Sequence, residues 1–428
     1  MYDASINRRQ FIKKTLSTAA GLSGSYLFRP SRVRAATPEL TMLSWNHFVP
    51  TADEKLKEQA ARFAREQGVI VRIDTIPHLQ LPAKLAAEIH AQTGHDIVYM
   101  VETAPWLYHE HLISVDDVVE DLGAKRGGWY SFVKESNFVK DSWKSVPWFF
   151  ITWPGIYRED LFQHAGYPVP QTWEDLLKAG RILKKEGHPV GIAISQTNDA
   201  YNTFWSILWS FGGKVLEVDG KSLALNSPET EATLDYYKRL YEEAMDPEVL
   251  SWDDASNNRF LLSGKGCWIH NPISPYITAV DKKMEIADKL GIHSALAGPA
   301  GKHVELSVAS LGIWNFSKNQ ELAKNFIRYL YEPENYSDWL VAARGYSQAP
   351  LQAYENHPLW AEHPKFKLLP GEARFGHVHG WPSPPNPYVQ RINDLYILPN
   401  MAAKVVTGTP IKAAITWAEE QIKRVLES

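Results

Sequence analysis

Val146-Pro-Trp-Phe-Phe-Ile-Thr-Trp-Pro-Gly-Ile-Tyr-Arg-Glu-Asp-Leu-Phe162 is the stretch of this chain that predicts the fold most directly. Its first half is dense in aromatic and β-branched residues, which favour an extended and mostly buried strand over a surface helix. Pro147 and Pro154 bracket this apolar run and argue against an uninterrupted helix. A polar segment over residues 157–160 follows. The stretch therefore predicts a buried strand and then a short helical turn.

The start of the next helix is marked by Thr172. Asp175 stands three residues later, which is the capping-box pattern of a helix N-terminus. Leu176, Ala179 and Leu183 then recur at helical spacing. On these residues alone, the order of strand, turn, loop and capped helix fits a strand-to-helix step in an ordinary α/β enzyme as well as it fits any more specific fold.

Together these motifs resemble the central signature of the extracellular solute-binding proteins of ABC importers, within the maltose/sugar-binding family. The resemblance is carried by the proline-aromatic strand, by Tyr-Arg-x-Asp-Leu-Phe over residues 157–162, and by Gly-Tyr-Pro-x-Pro-x-Thr-Trp-Glu-Asp-Leu over residues 166–176. In that family the signature lies where the chain first crosses between two lobes. The resemblance extends over about residues 40–425 and implies an α/β, two-lobe periplasmic-binding-protein fold of type II. Each lobe is then expected to be a mostly parallel sheet flanked by helices, with the ligand cleft between the lobes.

Strand and helix patterns alternate along both halves of the chain, which is typical of βαβ units and a mostly parallel sheet. The expected strands are at residues 40–45, 69–76, 96–101 and 190–194. A link that contains Pro and Gly, residues 296–301, is the expected second crossing. We therefore predict an N-terminal lobe from residues 37–148 plus 302–345 and a C-terminal lobe from residues 149–301 plus 346–428.

Local signals predict two further helix starts and one hairpin. Thr51 with Glu54, and Ser317 with Gln320, have the spacing of helix caps. Asp219-Gly-Lys221 lies between two short apolar runs and is typical of a hairpin turn.

Residues 1–36 predict a twin-arginine export signal. Asn7-Arg-Arg-Gln-Phe-Ile-Lys13 fits the twin-arginine pattern, a weakly apolar stretch follows, and Val33-Arg-Ala35 is typical of a cleavage site. An amphipathic N-terminal helix is the alternative. We expect a periplasmic protein that is not a lipoprotein, because its single cysteine, Cys267, lies deep in the chain.

Composition excludes several classes of partner. The chain has 428 residues, enough for two domains, and contains no apolar run of about 18 residues that would predict a membrane span. One cysteine permits neither an intramolecular disulfide nor a cysteine-based metal cluster. Loss of residues 1–35 would remove seven basic side chains and one acidic side chain, which takes the formal charge from −4 to −10. An acidic protein is not expected to bind nucleic acid.

No catalytic, metal-binding or cofactor motif is present, so we expect a protein without enzymatic activity and without a cofactor. His109 with His111, and His377 with His379, are close in sequence, but neither pair has the i, i+4 spacing of two ligands on one helix face. Nucleophile-elbow and P-loop patterns are missing. A secreted polysaccharide-active enzyme stays an alternative, because a sequence does not reveal the separation of two carboxylates.

Ligand-binding residues are expected in the loops at the carboxyl ends of strands, where open α/β sheets bind their ligands. The resemblance implies the same loops. The candidates are Trp45, Asn46, His47, Glu102, Trp106, Trp268, Asn271, Ser307, Ser310 and Arg344, together with Trp148, Phe149 and Trp153 of the crossing strand. Sixteen Trp residues are well above ordinary usage, and their flat faces suit a ligand as well as a core.

The crossing strand departs from the family pattern in one respect. Sugar-binding relatives often place a carboxylate there, whereas this chain has Phe149, Phe150, Ile151 and Thr152. A missing carboxylate acceptor removes a hydrogen bond worth about 1.5–3 kcal/mol to a sugar hydroxyl. A carbohydrate or sugar derivative is the first expectation for the ligand, and a less polar or cationic solute is the alternative.

The resemblance also implies partners. It implies a binding protein that closes on a small-molecule solute and delivers it to an ABC permease in the inner membrane. Delivery to a sensor is the alternative to import. We expect a monomer.

Overall fold

The structure of the protein, a computed structural model, describes residues 37–167 and 169–427. The predicted export signal, residues 1–36, lies outside the described residues. The strands are β1 (Glu39–Trp45), β2 (Ile70–Ile76), β3 (Ile97–Val101), β4 (Phe138–Val139), β5 (Ser142–Trp143), β6 (Val146–Thr152), β7 (Gly155–Arg158), β8 (Val190–Gly191), β9 (Trp268–His270), β10 (Leu290–His293), β11 (Ala297–Gly298), β12 (Gly301–Lys302), β13 (Val304–Ile313) and β14 (Gly376–His377).

The larger sheet has the strand order β14-β13-β3-β1-β2, and β6 also pairs with β13. β1 is parallel to β2 and β3, whereas β13 is antiparallel to β3 and β6. Every residue of β6 and of β13 is buried. This continuous burial is expected of strands that are covered on both faces.

The smaller sheet has the strand order β10-β7-β9-β8. β8 and β9 are parallel, and β7 is antiparallel to both of its neighbours. In each sheet, the first strand after the chain has left the other sheet is antiparallel to most of the remaining strands. These strands are β7, which comes after β6, and β13, which comes after β10. These joining strands need no helical crossover of the kind that connects parallel neighbours.

Two segments join the sheets. Only Trp153 and Pro154 separate β6 from β7, and residues 294–303, which include the β11–β12 hairpin, separate β10 from β13. The first change of sheet therefore lies after Thr152, a few residues beyond the predicted lobe boundary at 148/149. The full extent of the two lobes stays a prediction.

The helices cover the sheets. They are α1 (Pro50–Gln67), α2 (Leu81–Ala91), α3 (Ala104–Tyr108), α4 (Asp116–Lys125), α5 (Ser131–Asn137), α6 (Glu159–His164), α7 (Trp173–Lys185), α8 (Asn198–Ser210), α9 (Pro228–Ala244), α10 (Ser256–Leu262), α11 (Ser274–Asp281), α12 (Gln320–Leu330), α13 (Pro333–Ala342), α14 (Leu359–Glu362), α15 (Leu369–Glu372), α16 (Pro387–Asp394), α17 (Ile397–Val406) and α18 (Ile411–Glu427). α17 packs against α8, α9 and α18, so the end of the chain lies on the helices that follow the first crossing.

The predicted start of α7 is confirmed in detail. The Thr172 hydroxyl accepts a hydrogen bond from the Asp175 N–H (3.0 Å), and the Asp175 carboxylate accepts one from the Thr172 N–H (3.1 Å). The strands predicted at 40–45, 69–76 and 96–101 correspond to β1, β2 and β3.

Two other capping predictions are wrong. α1 begins at Pro50, and the Thr51 hydroxyl donates a hydrogen bond to the Ala342 carbonyl (2.6 Å) instead of capping the helix. α12 begins at Gln320 after Asn319. The Ser317 hydroxyl donates to the carboxylate of Asp96 (2.7 Å) while it accepts a hydrogen bond from the Asn319 N–H (3.0 Å) before the helix starts. In both places a tertiary contact takes the side chain that the local pattern assigned to a cap.

Two predicted strand segments are shorter in the structure. The strand expected at 190–194 is reduced to the two residues of β8, and the hairpin around Asp219 has a single bridge between Leu216 and Leu223. No helix within the described residues is long and apolar enough to cross a membrane.

Candidate functional site

Two adjoining cavities lie where elements of the larger and the smaller sheet meet. The first cavity has a volume of about 30 Å³ and the second about 180 Å³. His78, Tyr99 and Val101 line both and form their common wall. The first cavity is lined by Trp45, Phe48, His78, Tyr99, Val101, Glu102, Ile151, Trp153, Asn198, Asp199, Asp254, Asn258, Asn271, Pro272, Ser274, Ser307 and Tyr346.

Strand ends supply much of the first cavity. Trp45 is the last residue of β1, Glu102 follows β3, and Trp153 follows β6. Asn271 follows β9 of the smaller sheet and faces the same space. Residues beyond the carboxyl ends of strands from both sheets thus converge on one cleft, as the strand-end rule for α/β proteins predicts.

Glu102 is the most unusual group in the cleft. Its backbone is in the left-handed region (φ 48°), and its side chain is only 1% exposed. Neither carboxylate oxygen has a hydrogen-bond partner among the described residues. Burial, together with the nearby carboxyl groups of Glu305 and Asp394, raises the pKa of Glu102 to about 8 against the opposing effect of His379.

Two more carboxyl groups face the cavity from the other side. Asp199 lies in the first turn of α8, where it accepts a hydrogen bond from the Asn257 side chain. Asp254 accepts a hydrogen bond from the Asn198 N–H (2.8 Å). Burial raises the pKa of Asp254 to about 6 and that of Asp199 well above its ordinary value. The cleft therefore concentrates acidic groups in a poorly solvated space.

Aromatic rings form the apolar part of the wall. Trp45 stacks on Tyr99 with a distance of 5.9 Å between ring centroids and an interplanar angle of 17°. The ring centroids of Tyr346 and Trp45 are 6.4 Å apart. Trp153 presents its ring from the first crossing, and its indole N–H donates to the Ser307 hydroxyl (3.1 Å). Such faces suit the C–H surface of a ligand that also carries polar groups.

A buried hydrogen-bond network supports this wall. The Ser307 hydroxyl accepts from Trp153 and from the Asn202 amide (3.0 Å), and it donates to the Glu305 carboxyl (2.8 Å). His379 lies with Nε2 3.0 Å from the Asn202 side-chain oxygen, and burial lowers the pKa of His379 to about 4. The network connects β13 to α8 across the cleft.

The lining of the cleft is rich in carboxyl groups. The two linings include the carboxyl groups of Glu102, Asp199, Asp254 and Asp394, and neither lining includes a Lys or Arg among the described residues. Within the same part of the chain, no cluster of three or more His, Cys, Asp or Glu residues has the geometry of a metal site.

A family comparison agrees with this architecture. Residues 49–337 match the model of the bacterial extracellular solute-binding proteins. The chain belongs to this family. It is thus a solute-binding protein of ABC transporters, as its central signature predicts.

Two curated relatives of this solute-binding protein have names that describe them as binding proteins. A Deinococcus radiodurans protein named as a probable ABC transporter-binding protein is 25% identical over 295 residues, which cover 65% of this chain and 68% of the relative. A binding protein of Brucella abortus is 24% identical over 344 residues, which cover 74% of this chain and 78% of the relative.

Solved structures show the same fold. A maltose-bound MalE3 of T. maritima has a TM-score of 0.80 and 21% identity, covering 91% of this chain and 100% of that chain. A solute-binding protein of Thermotoga lettingae with α-D-tagatose has a TM-score of 0.80 and 19% identity, with the same coverage. A ribitol complex from Agrobacterium radiobacter has a TM-score of 0.77 and 23% identity, covering 91% of this chain and 98% of that chain. The expected two-lobe type II fold is confirmed.

Five of the predicted ligand-binding residues line the first cavity of the solute-binding protein: Trp45, Glu102, Trp153, Asn271 and Ser307. They come from both sheets and from the first crossing. The structure brings them together around one space, and their contact with a ligand stays a prediction.

Three predicted residues near the cleft lie outside both linings. Asn46 is exposed. His47 is held inside the protein, where Nδ1 accepts from the Val49 N–H (2.9 Å) and burial lowers its pKa to about 3. Arg344 forms an ion pair with Asp281.

The other five predicted residues are used in packing. Trp148 and Phe149 pack on the rings of α13, and Trp268 is fully buried with its indole N–H directed to His293 Nε2 (2.7 Å). Ser310 is buried within β13, and the Trp106 indole donates to the Glu135 carbonyl (2.9 Å). Aromatic side chains at strand ends fit a core as well as a ligand, so the sequence did not separate these two uses.

Several lining residues were missed by the sequence analysis. Tyr99 lies within a strand pattern, and its stacking on Trp45 depends on the β1–β3 pairing. Asp199 and Asp254 come from the N-terminal ends of helices or from the loops before them, which the strand-end rule does not cover. The Thr197 cap of α8, whose hydroxyl accepts from the Ala200 N–H (3.2 Å), was the available signal for Asp199.

Proposed function

We propose that this solute-binding protein captures a carbohydrate or sugar derivative in the first cavity. The observation that carries the proposal is Glu102, a buried carboxyl group whose two oxygens have no partner among the described residues. A sugar hydroxyl supplies the missing partner, because a buried polar group without a hydrogen bond is costly and a ligand that bonds it removes this cost. The Trp45 and Tyr99 rings offer flat faces for the apolar side of a sugar ring.

The acidic groups opposite Glu102 strengthen this proposal. The crossing strand lacks the carboxylate that sugar-binding relatives often have, and this absence favoured a less polar ligand at the level of the sequence. Asp199 and Asp254 place carboxyl groups in the cleft from the other side instead. The proteins of known structure that bind maltose, α-D-tagatose and ribitol hold ligands of the same polyhydroxy class.

Binding is proposed to involve closure of the two lobes. The first cavity, at about 30 Å³, is too small for a sugar, so the proposal requires the lobes to separate and then to close around the ligand with a larger space between them. The short link of Trp153 and Pro154 and the segment 294–303 are the proposed hinges. A ligand that contacts both lobes only in the closed form shifts the equilibrium towards that form.

The remaining steps follow from the same proposal. The closed protein, acting as a monomer, delivers the ligand to a permease in the inner membrane without making or breaking a bond. Residues 1–36 are proposed to direct export to the periplasm through the twin-arginine pathway. The two lobes are proposed to consist of residues 37–148 plus 302–345 and residues 149–301 plus 346–428, with the first boundary shifted to follow Thr152 so that β6 stays in one lobe.

The test is a thermal-shift and calorimetry panel of monosaccharides, disaccharides and sugar alcohols. A ligand at 100 times its dissociation constant is expected to stabilise the folded protein by about 2.7 kcal/mol. Glu102→Gln is expected to weaken binding at least tenfold, whereas the exposed Glu420→Gln on α18 leaves it unchanged. The absence of any binding carbohydrate contradicts the ligand class, and turnover of a stabilising sugar contradicts a role limited to binding.

A further inference from the structure

The second cavity differs from the first in the character of its walls. One side is apolar and comes from β3 and the segment that includes α2, with Leu81, Leu85 and Met100 among its residues. The other side comes from α8, α16 and the start of α17, where Tyr201, Asp394 and Tyr396 face the same space as Tyr108 of α3. An apolar pocket with a few convergent polar groups is the usual form of a small-molecule site.

Asp394 is the charged group of the second cavity. Its carboxylate accepts one hydrogen bond, from the Gln390 amide one turn earlier on α16 (3.0 Å). Burial raises the pKa of Asp394 to about 6. The carboxyl group therefore lies in a poorly solvated place without a basic partner among the lining residues.

Tyr201 is a second, independent sign of a ligand here. The residue is 6% exposed and lines the second cavity, and its hydroxyl makes no hydrogen bond to any described residue. Its ring lies 6.1 Å from the ring of Tyr396. Tyrosine rings beside a carboxylate are a recurring arrangement for binding a cationic nitrogen, because the ring face and the carboxylate both attract positive charge.

The linings of the two cavities contain four carboxyl groups and no Lys or Arg among the described residues, and the Arg391 charge that acts on Tyr108 comes from outside them. A poorly solvated carboxylate strongly attracts a ligand group of the opposite charge. A neutral sugar would satisfy hydrogen bonds to the protonated carboxyl group of Glu102 but would leave Asp394 without a counter-charge in the second cavity.

We propose that the ligand is a carbohydrate that carries a protonated amine, with its hydroxyl-bearing part in the first cavity and its ammonium group beside Asp394 in the second. The inference rests on the proposed function, since it assigns the ligand class of the same cleft. The cavities adjoin at His78, Tyr99 and Val101, so the proposal requires these side chains to move apart when one molecule occupies both. Amino sugars and amine-bearing glycosides are the corresponding compounds.

Calorimetry with matched pairs tests the inference. The pairs are D-glucose with D-glucosamine, D-galactose with D-galactosamine, and cellobiose with the chitosan dimer, so that each pair differs only in hydroxyl against amine. We expect the amine member of at least one pair to bind at least tenfold more tightly than the neutral member. Asp394→Asn should remove most of this preference, whereas Asp394→Glu should retain it.

Asp338→Asn is the matched control, because Asp338 is exposed on α13 and away from both cavities. Urea unfolding curves that match the wild type show that the Asp394 variants are folded. Equal or tighter binding of the neutral members overturns the inference and leaves the proposed carbohydrate function intact. An amine preference that survives Asp394→Asn also overturns it, and so does failure of every pair to bind when another carbohydrate of the wider panel binds.

Discussion

Glu102→Gln is expected to stabilise the ligand-free protein at neutral pH while it weakens ligand binding. The pKa of Glu102 rises from 4.5 to about 8 on folding, mainly through burial. Between these two pH values the folded protein keeps a proton that the unfolded chain has released. The free energy of unfolding therefore falls as the pH rises through this window.

The magnitude follows from the size of the pKa shift. Each pH unit in the window removes about 1.4 kcal/mol from the free energy of unfolding, so the loss at pH 7 is about 3 kcal/mol relative to pH 4.5. Glutamine has almost the shape of the protonated acid and stays neutral at every pH. We expect the two proteins to have similar stability near pH 4.5 and the variant to be more stable by up to about 3 kcal/mol at pH 7.

Urea unfolding between pH 4.5 and pH 8, followed by Trp fluorescence, measures this difference. The other buried carboxyl groups are present in both proteins, so most of their contribution cancels. Glu420→Gln on the exposed face of α18 should show no pH-dependent difference from the wild type. A constant difference between wild type and Glu102→Gln across the pH range, or a variant that is less stable at pH 7, would refute the assignment of Glu102 as a strained buried acid.

Three further predictions concern the fold. Thr172→Ala should lower the free energy of unfolding, measured in urea, by about 1 kcal/mol, because it removes the side-chain hydrogen bond that caps α7. Thr172→Ser should restore most of this stability, and equal stability of all three proteins would contradict the role of the cap. Cys267 is fully buried, and burial raises the pKa of its thiol. Ellman's reagent should therefore react with Cys267 only after denaturation. Rapid reaction of the native protein would contradict this burial. The Arg344–Asp281 ion pair has side chains that are 36% and 44% exposed. A double-mutant cycle should therefore give a coupling below about 1 kcal/mol that decreases with salt, and a salt-independent coupling of several kcal/mol would show that the pair is shielded from water.

The central strand and the start of α7 were predictable because their signals are local and agree with one another. The proline-bracketed run at 146–152 has a composition that fits a buried strand, and the structure contains it as β6. The capping box at Thr172 uses only neighbouring residues. Thr51 has the same spacing to Glu54, but Pro50 already occupies the start of α1 and the Thr51 hydroxyl reaches Ala342. Sequence spacing does not reveal such a distant partner.

The cleft was only partly predictable for a similar reason. The strand-end rule identified Trp45 and Glu102, because the ends of parallel strands meet at one edge of a sheet. Asp199 and Asp254 reach the cavity from α8 and from the loop before α10, and their position depends on how the elements of the two sheets approach each other. That approach is set by long-range packing, which a single sequence does not specify.

Trp153 is one of the two residues that separate β6 from β7, and its ring also forms part of the first cavity. A substitution of Trp153 therefore changes both the lining of the first cavity and the short segment that links the two sheets. New ligand preferences are therefore more accessible to evolution at Asp199 and Asp254, which border the cavity from outside this joint. A library that seeks altered ligand specificity should keep Trp153 constant and vary the two acidic positions.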